Sequence, residues 1–360
     1  MTSKFGSSGV VRAPTSAPRI VAIGGGTGLS TLLKGLKRFA QDYRPGEDLR
    51  RPLIDLTAIV TVTDDGGSSG RLRREFEVLP PGDIRNCMVA LSEDEALLSR
   101  LFQYRFTNGR GLKGHSFGNL FLTALTHLTG DFARAVKLSS EVLAIAGRIY
   151  PSTTNSQVAL EAELEDGSLV LGESNISRSR SAIKRIRLMP RRCPPLRETL
   201  EAIAQADLIT LGPGSLFTSV IPNLLVSGIS RAIWESPAVK AYFCNMMWQP
   251  GETTNFRASD HVDAIHRHAR CKLIDYAVLN CTPIASPLRK KYAAAHAQPV
   301  ENDIDRLKQM GLRVITADLL ADESKVRHDP DRTARVALEL AMEGRRRRLR
   351  SIRESAKPRR

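Results

Sequence analysis

The sequence predicts an α/β fold, a mostly parallel sheet with helices on both faces, formed as one domain over residues 19–344. Three observations carry that prediction. Short apolar runs alternate with helix-periodic stretches along nearly the whole chain. Two of those runs lead straight into glycine-rich loops that open helices, Gly24 to Gly28 and Gly212 to Ser215. The 360 residues are 42% hydrophobic and 25% charged, a globular composition that excludes wholesale disorder.

Taken in order, Met1 to Pro18 is rich in Ser, Gly and Pro, lacks an apolar signal core, and reads as a flexible lead. Ile20 to Ile23 is the first strand, and Leu29, Leu32, Leu33 and Leu36 place a helix over Leu29 to Phe39. Leu53 to Thr63, rich in β-branched residues, is the second strand. Helices are expected at 84–105, from Ser116 to Leu128, and at 131–146. An alternating pattern with an Asp166-Gly167 turn marks strands between 157 and 188, so 150–195 is read as a β-rich insertion. Then follow a helix at 196–206, a strand at Leu208 to Leu211, a helix after the second glycine loop, a strand at Ala238 to Cys244, a helix at 258–270 and a strand at Tyr276 to Asn280.

The net charge is +15, and residues 345–360 alone hold nine Lys or Arg against one Glu. That stretch is read as a solvated, disordered basic tail, and the body is only mildly basic. A second basic run spans Arg178 to Arg192. The tail has no interleaved aromatics and no nucleic-acid motif, so nucleic acid is not the expected partner. Five cysteines in no C-x-x-C pair argue for reduced thiols rather than disulfides or zinc. No run approaches the roughly 18 apolar residues of a membrane span. A soluble, cytoplasmic protein is expected.

The chemistry concentrates at strand ends. Glycines at Gly24, Gly25, Gly26 and Gly28, with Thr27, let backbone approach a phosphate, and the following helix aims its free amides there. The loop fits neither the dinucleotide fingerprint nor a P-loop, so a ligand-free tight turn is the alternative. Asp64 and Asp65 leave the second strand into Gly66-Gly67-Ser68-Ser69-Gly70-Arg71. Paired carboxylates there suit Mg²⁺ or ligand hydroxyls, and Ser68, Ser69 and Arg71 suit phosphate; the alternative is a polar turn. In Gly114 to Asn119, Ser116 is a candidate cap, and His115 and Asn119 are spaced to face one another across a helical turn. Gly212, Pro213, Gly214 and Ser215 form a second candidate anion cradle. The loop Asn245 to Thr253 offers Asn245 and Gln249 to read a ligand and Trp248 to stack on a base.

Six ordered motifs are specific when taken together: Ile23 to Gly28, Val62 to Gly70, Pro81 to Asn86, Gly114 to Asn119, Gly212 to Ser219 and Gln249 to Thr253. The chain resembles the YvcK family of gluconeogenesis factors, which shares its fold with CofD, the 2-phospho-L-lactate transferase. The resemblance covers roughly residues 19–320. It implies a Rossmann-like core and a bacterial cytoplasmic protein that binds UDP-sugars, UDP-N-acetylglucosamine among them. It also implies a regulatory role in cell shape and cell-wall supply on gluconeogenic carbon, without a settled reaction. By the same resemblance the glycine loops hold the diphosphate, Asn119 and the Asn245 loop hold base or sugar, and a tyrosine in the late strand region, matched to Tyr276, contacts the UDP-sugar. A basic cluster at Arg289 to Lys291 is a further phosphate candidate, and fold relatives suggest a homodimer.

Three functions compete at this level. The first is a UDP-sugar sensor acting on a partner protein. The second is a Mg²⁺-dependent phospholactyl transferase of the CofD type, with Asp64 and Asp65 binding the metal or orienting a hydroxyl. The third is nucleic-acid binding through residues 345–360, which predicts steep salt dependence.

Overall fold

The computed structural model describes residues 17–40, 53–92, 97–179, 181–322 and 324–355. Most of the flexible lead expected at 1–18 lies outside the described residues.

β1 (Arg19–Gly24) runs through the glycine loop into α1 (Gly26–Ala40). The leucines at helical spacing, Leu29, Leu32, Leu33 and Leu36, are all fully buried, a contribution of about 1.5–3 kcal/mol per side chain. β2 (Asp55–Val60) follows, then α2 (Gly67–Phe76), α3 (Gly82–Leu91), α4 (Leu97–Gln103), α5 (Phe117–Thr129), α6 (Phe132–Val142) and β3 (Arg148–Pro151). A small antiparallel sheet is built from β4 (Ala159–Leu164), β5 (Leu169–Leu171) and, after the short α7 (Glu173–Ile176), β6 (Ile183–Met189). It occupies the stretch read as β-rich, although Pro151 still belongs to the main sheet. α8 (Arg197–Gln205) leads to β7 (Leu208–Leu211), then to a π-helical turn over Leu216–Val220 that passes into α9 (Ile221–Leu225). The chain closes with α10 (Ile229–Glu235), β8 (Val239–Phe243), α11 (Ala258–Ala269), β9 (Tyr276–Asn280), α12 (Ser286–Ala293), α13 (Ile304–Gln309), β10 (Arg313–Ala317) and α14 (Pro330–Ser355).

The main sheet has seven strands in the order β10-β9-β8-β7-β1-β2-β3, and every neighbouring pair is parallel. After β3 the chain returns to pair β7 with the other edge of β1, then steps outward in the opposite direction. The reversal of strand order therefore falls between β1 and β7, the place where open α/β sheets bind ligands. Helices cover the sheet in contacting groups, α1 with α3 and α14, and α8 and α9 with α10. β1 and β2 are buried along nearly their whole length, as parallel strands covered on both faces must be.

Three sequence expectations change. The helix expected over 84–105 is two helices. Ser92 takes an extended backbone at the end of α3, and its hydroxyl bonds the Val89 carbonyl and Ser99, which stops propagation. The glycine-serine stretch after Asp65 is the start of α2 rather than a loop. There Gly70 lies so close to the Asp65 carbonyl that no Cβ would fit. Arg345 to Ser355 is helical, not a disordered tail, because its arginines are anchored. Arg345 and Arg348 approach the fully buried Asp207 at 3.7 and 3.6 Å, Arg348 bonds the Gln205 carbonyl, and Arg347 bonds Glu343. Gly344 packs directly on the Asp207 carbonyl. Residues 356–360 lie outside the described residues.

No single described helix is long and apolar enough to cross a membrane. The segments Leu216–Leu225 and Ile229–Glu235 would qualify only as a pair bent by 81°, and most of the first segment is buried in the core.

Candidate functional site

A cleft of about 420 Å³ opens beyond the carboxyl ends of β1, β7 and β8. Both glycine loops line it: Gly25, Gly26, Thr27 and Gly28 from the first, Pro213, Gly214 and Ser215 from the second. The loops touch. A Cβ on Gly28 would stand 2.7 Å from both the nitrogen and the Cα of Gly214, and closer still to the Pro213 carbonyl. Gly26 and Gly212, at φ +61° and +75°, take the left-handed conformation that glycine tolerates best. Gly24 ends β1 just behind the cleft, where Asn223 Nδ2 donates to its carbonyl at 3.2 Å. Gly26, Thr27 and Gly28 of the first turn of α1 line the cleft; the Gly26 amide bonds Asp83, and the amides of Thr27 and Gly28 have no intrahelical acceptor, a ready environment for an anion.

The opposite wall comes from the loop after β8. Gln249 Nε2 donates to Ser215 Oγ at 2.5 Å, and Asn245 Nδ2 donates to Gln249 Oε1 at 3.0 Å, so this chain of amides ties the second glycine loop to the β8 loop. Trp248 uses its indole N–H on the Phe256 carbonyl at 3.0 Å and contributes its ring to the wall. Tyr292 from α12 and Arg327 from the connection before α14 complete it.

Behind the first glycine loop stands a group of carboxylates. A Cβ on Gly25 would meet Asp83 at 2.6 Å, and one on Gly82 would meet Asp64 at 2.7 Å. Burial and then the Asp64 charge push Asp83 up to about 7. Glu173, half-buried on the cleft wall, is pushed up to about 9 by burial and by Asp64, Asp83, Glu252 and Asp65 in turn. Burial raises Glu252 to about 7, while its hydrogen bonds from Thr218 and Ser177 act the other way. At neutral pH Glu173 is therefore protonated, and the cleft presents it without its negative charge.

Asp64 and Asp65 diverge. Asp64 Oδ1 accepts the Gly66 amide at 2.9 Å, and Asp65 Oδ1 accepts the Ser174 amide at 2.8 Å across the small sheet. Among the described residues, no group of three or more His, Cys, Asp or Glu is arranged as a metal shell. A Mg²⁺ ion at either aspartate would need oxygens from the ligand itself to complete its coordination.

The remaining predicted residues gather where α2 meets α5, next to the cleft rather than in it. Ser68 Oγ lies 3.0 Å from His115 Nδ1, and Asn119 Nδ2 reaches Ser69 Oγ at 3.4 Å. His115 and Asn119 thus each face a serine of α2, not one another. Burial and the neighbouring Arg71 hold His115 below its ordinary pKa. Asn119 Oδ1 is buried with no partner among the described residues. Ser116 sits at the start of α5, but its hydroxyl bonds the Phe102 carbonyl at 3.2 Å instead of capping the helix. Arg71 turns outward to the Lys113 carbonyl at 2.9 Å.

Tyr276 is the clear displacement. It begins β9, paired in register with Arg313, and so lies at the amino ends of the strands, opposite the cleft. Its hydroxyl bonds Glu343 at 2.8 Å and receives Arg313 and Arg347, a structural anchor for α14. The tyrosine in the cleft is Tyr292. Of the cluster at Arg289 to Lys291, Arg289 lines an adjoining cavity that also touches Asn245 and Met246. Sequence reasoning singled out neither Glu173 nor Tyr292, Arg327 or His328. Asp83 was legible only as part of the Pro81 to Asn86 motif.

The family model described as 2-phospho-L-lactate transferase CofD matches residues 20–320. The gluconeogenesis factor of Bacillus subtilis is 48% identical over 327 residues, covering 91% of this chain and 99% of that protein. The gluconeogenesis factor of Halalkalibacterium halodurans is 48% identical over 89% of this chain and 95% of its own, and that of Listeria innocua is 42% identical over 88% and 94%. A crystal structure of a Bacillus halodurans protein, 47% identical, superposes with a TM-score of 0.84 and covers 90% of this chain and all of its own. The match extends over nearly the full length of these relatives, and the chain belongs to the CofD family, among its gluconeogenesis factors.

Proposed function

We propose that this protein is a gluconeogenesis factor that binds a nucleoside diphosphate sugar, UDP-N-acetylglucosamine being the first candidate, and acts as a sensor rather than a catalyst. One observation carries the reading: two glycine loops from different strands converge on a single cleft at the sheet's reversal point. Backbone amides there suit a diphosphate. Trp248 and Tyr292 offer faces for a base, and Asn245 and Gln249 offer amide groups for base or sugar edges. In this reading the ligand shifts a conformational equilibrium by its differential affinity for two states, and a partner protein in the cytoplasm reads the result. Control of cell shape and of wall precursor supply is the physiological output.

A second reading is a Mg²⁺-dependent phospholactyl transferase with a nucleoside-diphosphate donor, like the family's name-giving member. The observation that favours it is the set of carboxylates with raised pKa beside the glycine loops, because tuned acids concentrate at catalytic sites. Isothermal titration separates the two. Tight binding of UDP-N-acetylglucosamine without turnover supports the sensor. Binding of GDP only, and only with Mg²⁺, would overturn it and favour the transferase.

A further inference from the structure

The cleft continues around the first turn of α1 into a second cavity of about 510 Å³, within the range of small-molecule sites. The two share Thr27, Thr31, Arg327 and His328. Their linings differ. The cleft has one acid on its wall, Glu173, which is protonated at neutral pH, with Asp83 and Asp64 nearby. The second cavity is lined by Lys34, Arg85 and Arg327, and by no Asp or Glu among the described residues. Lys34 and Arg327 are exposed, and neither forms an ion pair among the described residues.

Arg85 lies deeper. Its Nη2 donates to Asn86 Oδ1 at 2.6 Å, while its Nε is buried with no acceptor. Burial and the nearby Arg105 charge disfavour its cationic form, and the carboxylates that favour it, Asp83 and Asp64, belong to the neighbouring group behind the first glycine loop. His328, shared by both cavities, is held down at about 4 by burial and so adds no positive charge at neutral pH. A buried cationic donor lacking an acceptor is costly, and an oxyanion in the cavity would relieve that cost.

We propose that this cavity is an anion subsite that takes the carboxylate or phosphate of a small acidic molecule beside the nucleotide. It rests on the nucleotide reading only for what fills the adjoining cleft. The acidic group has two sources, a separate free acid or the far end of the nucleotide ligand itself.

The test uses inorganic phosphate, UDP, UDP-glucose and UDP-glucuronate as probes in isothermal titration of the full chain, Lys34→Gln and Arg85→Gln. With UDP filling the glycine loops, phosphate is expected still to bind, and each variant to weaken it about tenfold or more, the scale of one charge-assisted hydrogen bond. That result assigns a separate acid. Alternatively, UDP-glucuronate binds about tenfold tighter than UDP-glucose in the wild type and equally in the variants, which assigns the acid to the nucleotide ligand. Lys34 is exposed, so its variant reports even where Arg85→Gln fails to fold. Phosphate binding that is absent or indifferent to both variants, with no preference for UDP-glucuronate, overturns the proposal. Should no UDP compound bind while phosphate binding stays sensitive to the variants, the nucleotide reading falls and the subsite stands.

Discussion

Substituting Gly28 by alanine tests the apposition of the two glycine loops. The new methyl would lie 2.7 Å from the nitrogen and Cα of Gly214, which is backbone and cannot swing aside as a side chain can. Either the first turn of α1 or the Pro213-Gly214 segment must shift. Overpacking of this kind costs about 1–3 kcal/mol. At about 2.1 cal/mol/K of unfolding entropy per residue, that lowers the melting temperature by about 1–4 °C if the chain melts as one unit. The shift also parts the amides that would grip a diphosphate, so nucleotide-sugar affinity should fall at least about tenfold, beyond what the stability loss explains. Gly24→Ala is the control, because its Cβ would meet Leu29 Cβ at an ordinary 3.4 Å. Its stability should change by less than about 1 kcal/mol. Calorimetric melting and titration with UDP-N-acetylglucosamine read both quantities. A Gly28→Ala protein that melts and binds like the wild type would refute the close packing of the loops.

Glu173 gives a pH dependence. Its folded pKa of about 9 stands above the roughly 4.3 of an unfolded glutamate, so the folded state holds the extra proton and stability falls as pH rises from about 4.3 to about 9. Glu173→Gln should remove that loss, gaining about 1–3 kcal/mol at pH 8 in urea unfolding. It should also flatten the fall in nucleotide affinity expected near pH 9, and a variant that keeps the wild-type pH profile would contradict the assignment. The paired substitution of Arg345 and Arg348 by alanine leaves Asp207 buried without cations and should cost about 3–5 kcal/mol. An unchanged melting temperature would return residues 345–355 to the status of an unanchored tail. Tyr276→Phe should cost about 1 kcal/mol through the lost bonds to Glu343 and leave nucleotide affinity unchanged, whereas Tyr292→Ala should weaken binding about tenfold. The reverse pattern would restore Tyr276 to the site.

What was legible in the sequence follows from what leaves a mark there. Positions with no room for a Cβ require glycine, so Gly25, packed on the Thr61 and Asp83 side chains, and Gly28, packed on the Pro213-Gly214 backbone, left their mark in the sequence at the strand ends. Strands covered on both faces read as continuous apolar runs, which made β1, β2 and β7 visible. Side chains that enter the cleft from irregular connections carry no such pattern. Glu173 comes from the short helix within the small sheet, and Arg327 from the segment before α14. Tyr276 is matched through the family resemblance to a tyrosine of the late strand region, and it begins β9 at the amino ends of the strands, whereas the tyrosine lining the cleft is Tyr292 of α12. The arginines of α14 resemble a solvated tail in composition, and only the tertiary partner Asp207, more than a hundred residues earlier, reveals the anchor.

Diffraction from crystals grown with saturating UDP-N-acetylglucosamine tests the central claim most directly. The expected result is diphosphate density within hydrogen-bonding distance of the amides of Gly25 to Gly28 and Gly214 to Ser215, with the base against Trp248 or Tyr292. Density for the nucleotide elsewhere on the molecule, with the cleft between the two glycine loops filled only by solvent, would contradict it.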